Sequence, residues 1–165
     1  MPGAVGVLAL QGDFEAHGAV LAELGASVRE VRVADDLEGL GAIVLPGGES
    51  TTMTLGIGEV GCRIDDRGGP RRGILGLEDA GSDEHAFGRQ VRSFEGDVAL
   101  AGFEAPFHAV FIRAPWVAEH ASDISVLAAV AGHAVAVSAG RILAVAFHPE
   151  LIGETRLHRR LLEQL

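Results

Sequence analysis

Lysine is absent from this 165-residue chain, and all thirteen of its basic residues are arginine. That absence excludes Schiff-base chemistry, and it also excludes a G-x-x-x-x-G-K-[ST] loop, whose lysine reaches the phosphates of a bound nucleotide. Cysteine is nearly absent as well. A single residue, Cys62, rules out an internal disulfide, a four-cysteine zinc site and a Cys-x-x-Cys redox pair. No apolar run approaches the roughly 20 residues of a membrane-spanning helix, and the N-terminus opens on an apolar strand without a basic leader, so a cytoplasmic protein with no membrane partner is expected. Positive charge is also scarce. A net charge of −10 argues against a nucleic-acid partner, which would require a basic face.

What remains is apolar material, 48% of the residues, enough for one core and too little chain for two full domains. Ala4 to Leu10 form a buried strand ending in the turn Gln11-Gly12-Asp13. Phe14, Val20, Leu21 and Leu24 then recur at helical spacing until Gly25, placed as a helix C′ residue. Ser27 to Val33 alternates as a strand, and Ala42 to Leu45 is another, halted by Pro46-Gly47-Gly48. Strand, helix, strand, strand opens a parallel α/β sheet. The second half reads as strands at Ala109–Ile112, Ser125–Val130, Ala134–Ser138 and Ile142–Phe147, with hairpin turns at Gly132-His133 and Ala139-Gly140. A closing helix, Thr155 to Leu165, aligns Leu157, Leu161, Leu162 and Leu165 on one face, with Thr155 placed to cap it. The organisation predicts one domain, 1–165, interrupted by an irregular Gly/Arg-rich segment at about 56–84. Gly56 to Gly81 contains eight glycines and keeps no sustained period.

Two runs carry chemistry. Leu45-Pro46-Gly47-Gly48-Glu49-Ser50-Thr51-Thr52 follows a buried strand, where consecutive glycines let backbone N–H groups approach a ligand and Ser50 or Thr51 can cap a following helix. A plain strand-to-helix turn fits the same spacing, and a serine nucleophile at Ser50 fails the G-x-S-x-G pattern at Thr52. Phe147-His148-Pro149-Glu150 ends the last strand. His148 and Glu150, two residues apart, lean to one side of an extended backbone, which suits a carboxylate orienting a general-base imidazole. A purely structural His-x-Glu fits too, whereas the zinc-deaminase use of this pattern lacks its paired cysteines here. Gly56-Ile57-Gly58-Glu59-Val60-Gly61 matches G-x-G-x-x-G, but the polar, broken sequence after it makes a nucleotide site the weakest reading. His17, His85, His108, His120, His133 and His158 show no metal-ligand spacing, so surface or packing roles are expected and no metal is assigned.

Five runs taken together, Val7 to His17, Leu45 to Met53, Ala86 to Glu95, Val110 to Pro115 and Ala146 to Leu151, closely resemble the glutaminase subunits of pyridoxal 5′-phosphate synthase, a branch of the class I glutamine amidotransferases. The resemblance covers residues 1 to about 55 and about 84 to 165. It implies a flavodoxin-like three-layer α/β sandwich with a C-terminal run of strands and a final helix. It also implies hydrolysis of L-glutamine to glutamate and ammonia, delivered to a synthase subunit in vitamin B6 biosynthesis. Pyridoxal phosphate is then the pathway's product, so no cofactor is expected. His148 and Glu150 match the family's catalytic pair, Gly48, Glu49 and Ser50 its glutamine loop, and Ile112-Arg113 a second glutamine contact.

The chain departs from that pattern at the nucleophile. Family members carry it in a Gly-Thr-Cys-Ala-Gly elbow, and no such segment exists here. Cys62, between Gly61 and Arg63, is not its equivalent. Glu84 also stands where the family has a glutamine-holding arginine. The expectation is a glutaminase subunit impaired in turnover, the alternative a non-catalytic subunit that binds the synthase.

Overall fold

The computed structural model describes residues 3–47, 93–112, 114 and 124–165, with the backbone alone at 77–78 and 116–117. They fall into two compact units, Met1–Ile64 with Gly153–Leu165, and Asp65–Ile152.

In the first unit, β1 (Ala4–Leu8), β2 (Val28–Val31) and β3 (Leu40–Val44) make a parallel sheet in the order β2-β1-β3. Alternation along β1 sends Val5 and Val7 to one face and Leu8 to the other, and each face carries its own apolar cluster. Leu8 and Val31 collect Leu37, Leu40 and Ile43. Val5 and Val7 pack with Leu21 of helix α1 (Phe14–Glu23), and with Leu161 and Leu162 of helix α2 (Arg156–Leu162). Helix α1 ends as its sequence directs. Gly25 takes φ +83°, and the N–H groups of Gly25 and Ala26 bond to the carbonyls of Ala22 and Leu21, a Schellman closure with Ala26 packed on Leu21.

Boundaries differ from expectation: β1 ends at Leu8 and not Leu10, and α2 at Leu162 and not Leu165. β2 stops at Val31 because the Asp36 carboxylate accepts the N–H groups of Arg32 and Val33 and turns the chain into a 3₁₀ turn, Ala34–Leu37. β3 starts at Leu40 and leaves Leu45 exposed beyond its end. Thr155 sits at the N-cap of α2 without a side-chain cap bond, since its backbone is already helical (φ −96°, ψ −12°). The Glu154 carboxylate takes the Arg156 N–H instead.

The second unit is antiparallel. β5 (Phe94–Val98) and β6 (Phe107–Phe111) form a two-stranded ribbon. β9 (His133–Ala139) pairs with both β8 (Ser125–Val130) and β10 (Ile142–Val145). The short β4 (Leu77–Glu78) and β7 (Trp116–Val117) extend this sheet from β9, so a strand falls inside the segment the sequence leaves irregular. The hairpin turns lie one residue from their expected places, at Ala131-Gly132 and Gly140-Arg141. In the first, both residues have positive φ (49° and 86°), as a two-residue turn compatible with strand twist requires. Phe107 and Phe111 are fully buried, with Phe103 edge-on to Phe107 and Phe147 packed near both. Among the described residues, no helix is long and apolar enough to cross a membrane.

Candidate functional site

The backbone that carries His148 is fixed from two sides. Beyond the last pairing of β10, the Ala146 N–H donates to the Val135 carbonyl on β9 (2.8 Å), and the His148 N–H donates to the Val110 carbonyl on β6 (2.9 Å). Phe147, between them, buries its ring against Phe111 at a centroid distance of 5.7 Å. Pro149 has no N–H to extend a ladder, and a single 3₁₀ turn, Glu150–Ile152, follows. This succession swings Glu150 back under the imidazole. Its Oε1 lies 2.7 Å from His148 Nδ1, the carboxylate side chain is 1% exposed and the imidazole 22%.

An ionised carboxylate can only accept, so Nδ1 carries the hydrogen of this bond and the lone pair falls on Nε2. A buried carboxylate holding one tautomer, with the ring reachable from solvent, is the arrangement of a general base that takes a proton from a nucleophile and returns it to a leaving amine. The sequence pairs these residues by their spacing, and the fold brings them into contact.

Ile112 lies just past the end of β6 with its side chain 43% exposed. Arg113, Gly48, Glu49 and Ser50 lie outside the described residues, as does Cys62. Gly47 is the last described residue leading into the glycine loop. Gly12, at φ +80° in the turn after β1, sits so close to it that a Cβ at position 12 would overlap the Gly47 carbonyl oxygen. Glycine at position 12 lets the turns after β1 and β3 meet backbone to backbone.

Two histidine arrangements escaped the sequence reading. His108 on β6 stands opposite Asp97 on β5, its Nδ1 3.2 Å from Asp97 Oδ1 and its Nε2 3.0 Å from Glu95 Oε2 on the exposed face of the ribbon. His17 and His158 are buried in the first unit with their rings in contact. The alternation Phe94-Glu95-Gly96-Asp97-Val98 could have revealed the first. No local signal marks the second, which joins positions 141 residues apart.

The fold and the His148–Glu150 geometry define an α/β amidotransferase class. Over 98% of both chains, the structure superposes on a crystal structure of a glutamine amidotransferase with a TM-score of 0.83 at 40% identity. Residues 7–65 and 69–165 match the model of the SNO glutamine amidotransferase family, and the chain belongs to that family. Among relatives, the pyridoxal 5′-phosphate synthase subunit PdxT of Mycolicibacterium vanbaalenii is 45% identical, covering 94% of each chain. The corresponding subunit of Mycobacterium tuberculosis is also 45% identical, over 94% of this chain and 92% of its own. The first of these alignments runs over 183 positions, more than the 165 residues this chain contains, so that relative has internal residues without a counterpart here.

Proposed function

We propose that this chain is a glutaminase subunit of pyridoxal 5′-phosphate synthase that retains the proton-transfer half of the glutamine site and lacks the nucleophile. The observation that carries the reading is the 2.7 Å contact between His148 Nδ1 and the buried Glu150 carboxylate. In this reading, Nε2 of His148 accepts the proton of an attacking thiol and delivers it to the departing ammonia, while Glu150 holds the tautomer and balances the imidazolium. Gly48, Glu49 and Ser50 bind glutamine through the loop after β3, Ile112 and Arg113 supply the second contact, and the ammonia passes to the synthase subunit. The site needs no cofactor and no metal. The whole chain acts as one amidotransferase domain in the cytoplasm, without nucleic-acid or membrane partners.

The thiol is what the sequence lacks, since no Gly-Thr-Cys-Ala-Gly elbow occurs in it. The covalent route is lost with the nucleophile. Loss of the backbone N–H that follows it removes an oxyanion donor, a change that alone costs about 2.7–4 kcal/mol of transition-state stabilisation. The test is ammonia release from L-glutamine by the purified chain, alone and with the synthase subunit, and no release above background is expected. Robust release that disappears in Cys62→Ala would make Cys62 the nucleophile and overturn this reading. Stable binding to the synthase with no measurable binding of L-glutamine would favour the second reading, a non-catalytic partner subunit.

A further inference from the structure

Helix α2 is seven residues long, well short of the roughly 12–15 at which an isolated helix becomes even marginally stable in water, so its order depends on docking. It docks in two ways. Leu161 and Leu162 join the apolar cluster of Val5, Val7 and Leu21. His158, 5% exposed, faces His17 of α1, 9% exposed, with His158 Nε2 2.9 Å from His17 Nδ1 and the ring planes inclined by 47°.

The apolar contact is indifferent to pH, and the imidazole contact is not. A bond between two ring nitrogens needs one N–H donor and one lone pair. Two neutral imidazoles satisfy that, and so does a pair sharing a single extra proton. A second proton places hydrogens on both facing nitrogens and two positive charges side by side in a buried contact, and the bond cannot survive it.

The surrounding charges bias both protonation steps. Glu154, whose carboxylate is held below its ordinary range first by the hydrogen bond from Arg156 and to a lesser degree by the nearby His158, favours protonation. Asp13 stands one turn before His17 on α1, its carbonyl accepting the His17 N–H, and Glu15 lies on the same helix. Arg156, Arg159 and Arg160 on α2 add positive charge on the side of His158 and oppose protonation, while the repulsion between two charged rings in contact separates the second proton from the first. Of the strands, β1 gives Val5 and Val7 and β2 gives Val28 to the shared apolar cluster, and β2 also carries the charged Arg29 and Glu30.

We propose that His17 and His158 form a proton-controlled clasp, which holds the C-terminal helix on α1 while at most one of the two imidazoles is protonated and releases it when both are. An ordinary imidazole titrates near pH 6.5, so release falls on the acid side of neutrality.

The test is backbone amide exchange in the full chain between about pH 7.5 and pH 5, corrected for the intrinsic pH dependence of exchange. Protection of 156–162 is expected to fall at least about tenfold relative to that of Ala4–Leu8. In His158→Gln, whose amide can bond to His17 in either protonation state, the profile is expected to flatten. A flat profile in the unaltered chain, or an equally steep one in His158→Gln, overturns the clasp. If His158→Gln does not fold, the imidazole resonances of the unaltered chain decide the question. Coupled, two-step titration with α2 amides lost at the second step supports the clasp, and two independent titrations with α2 unmoved refute it.

Discussion

His148 and His108 belong to the same antiparallel unit and each stands within hydrogen-bond distance of a carboxylate, yet they occupy opposite electrostatic settings. Glu150, beneath His148, is 1% exposed, whereas Glu95 and Asp97, beside His108, are 62% and 72% exposed with the imidazole itself at 49%. Their backbones differ as well. His148 sits past the end of its strand, tied to β6 and β9 through its own N–H and that of Ala146, with Phe147 anchored in the aromatic core. His108 lies within the ribbon and faces water. A buried acceptor fixes a tautomer and has no solvent to fall back on, while exposed acceptors hold a proton loosely and exchange with water. Residue type alone does not set the two arrangements apart. The difference comes from desolvation of the carboxylate and from a backbone that cannot give way.

The comparison fails most visibly if the two histidines prove interchangeable in catalysis. Grafting a family strand, Gly-Thr-Cys-Ala-Gly elbow and helix between Met53 and Ala86, with arginine at position 84, is expected to give glutaminase activity in the presence of the synthase subunit. In that graft, His148→Ala should lower turnover by a factor of about 10² or more, the usual loss for a general base. His108→Ala should leave it unchanged. A folded, synthase-bound graft that stays inactive, or one indifferent to His148→Ala, would remove His148 and Glu150 from the mechanism.

Stability should separate the carboxylates next. Glu150→Ala deletes a buried partner of a charge-assisted hydrogen bond and leaves the Nδ1–H of His148 without that acceptor, so a loss of about 1.5–3 kcal/mol is expected from denaturant unfolding. Glu95→Ala removes an exposed partner and should leave the unfolding midpoint where it was. Equal effects would mean that burial is not what distinguishes the two sites.

How far the sequence foretold this contrast depends on the range of each interaction. β1, α1 and β3 were legible because apolar periodicity and Gly25 act locally, and Gly25 closes its helix with the positive φ the position demands. The pairing of His148 with Glu150 was legible because it spans only two residues. The turn at Ala131-Gly132 was displaced by one because glycine signals a left-handed position without saying which of the two turn residues it fills, and Ala131 adopts the other. Thr155 looked like a cap, yet the helical backbone starts on it and the nearby carboxylate of Glu154 takes the available N–H. The ribbon β5–β6 was half visible, since alternation in β5 was present but the partner that turns Glu95 and Asp97 toward His108 lies across a loop. The His17–His158 contact depends wholly on tertiary packing.

The two histidine systems apart from His148 and Glu150 should also respond to acid in opposite directions. His108 is held above its ordinary value of 6.5, first by its hydrogen bond to Glu95 and then by that to Asp97. A folded value raised above the unfolded one means that the contribution is fully present below about pH 6.5 and is lost as pH rises through the folded value. Protection of Phe94–Val98 and Phe107–Phe111 should therefore weaken modestly as pH rises from 6 to 8, while the His17–His158 clasp weakens as pH falls. Added salt should blunt the ribbon's response, because its charges are exposed. NMR titration of the His108 ring, repeated in Glu95→Gln, checks the cause, and an unchanged titration in that variant would mean that Glu95 does not hold the proton.

The smallest expected effect concerns Asp36, a half-buried carboxylate engaged by backbone donors instead of by a titrating ring. Its oxygen Oδ2 accepts the Arg32 N–H at 2.9 Å and the Val33 N–H at 3.0 Å, and these two bonds, the Arg32 one foremost, hold it below its ordinary 3.8, with smaller help from the charges of Arg29 and Arg32. Because the folded value is lowered, its contribution is complete above about pH 3.8 and is lost as pH falls through the folded value, so no pH dependence from it is expected near neutrality. Asp36→Asn keeps an oxygen that can take the place of Oδ2 and accept both N–H groups, and removes the charge. It is expected to lower the neutral-pH unfolding midpoint only slightly, to abolish the local titration below pH 4, and to loosen exchange only at Arg32 and Val33. Since both bonds end on the backbone just beyond β2, the effect should stay within the 3₁₀ turn Ala34–Leu37. Loosening that spread along β2 to Val28 would show that this carboxylate fixes the strand register and not only the turn, against the expectation that it acts locally.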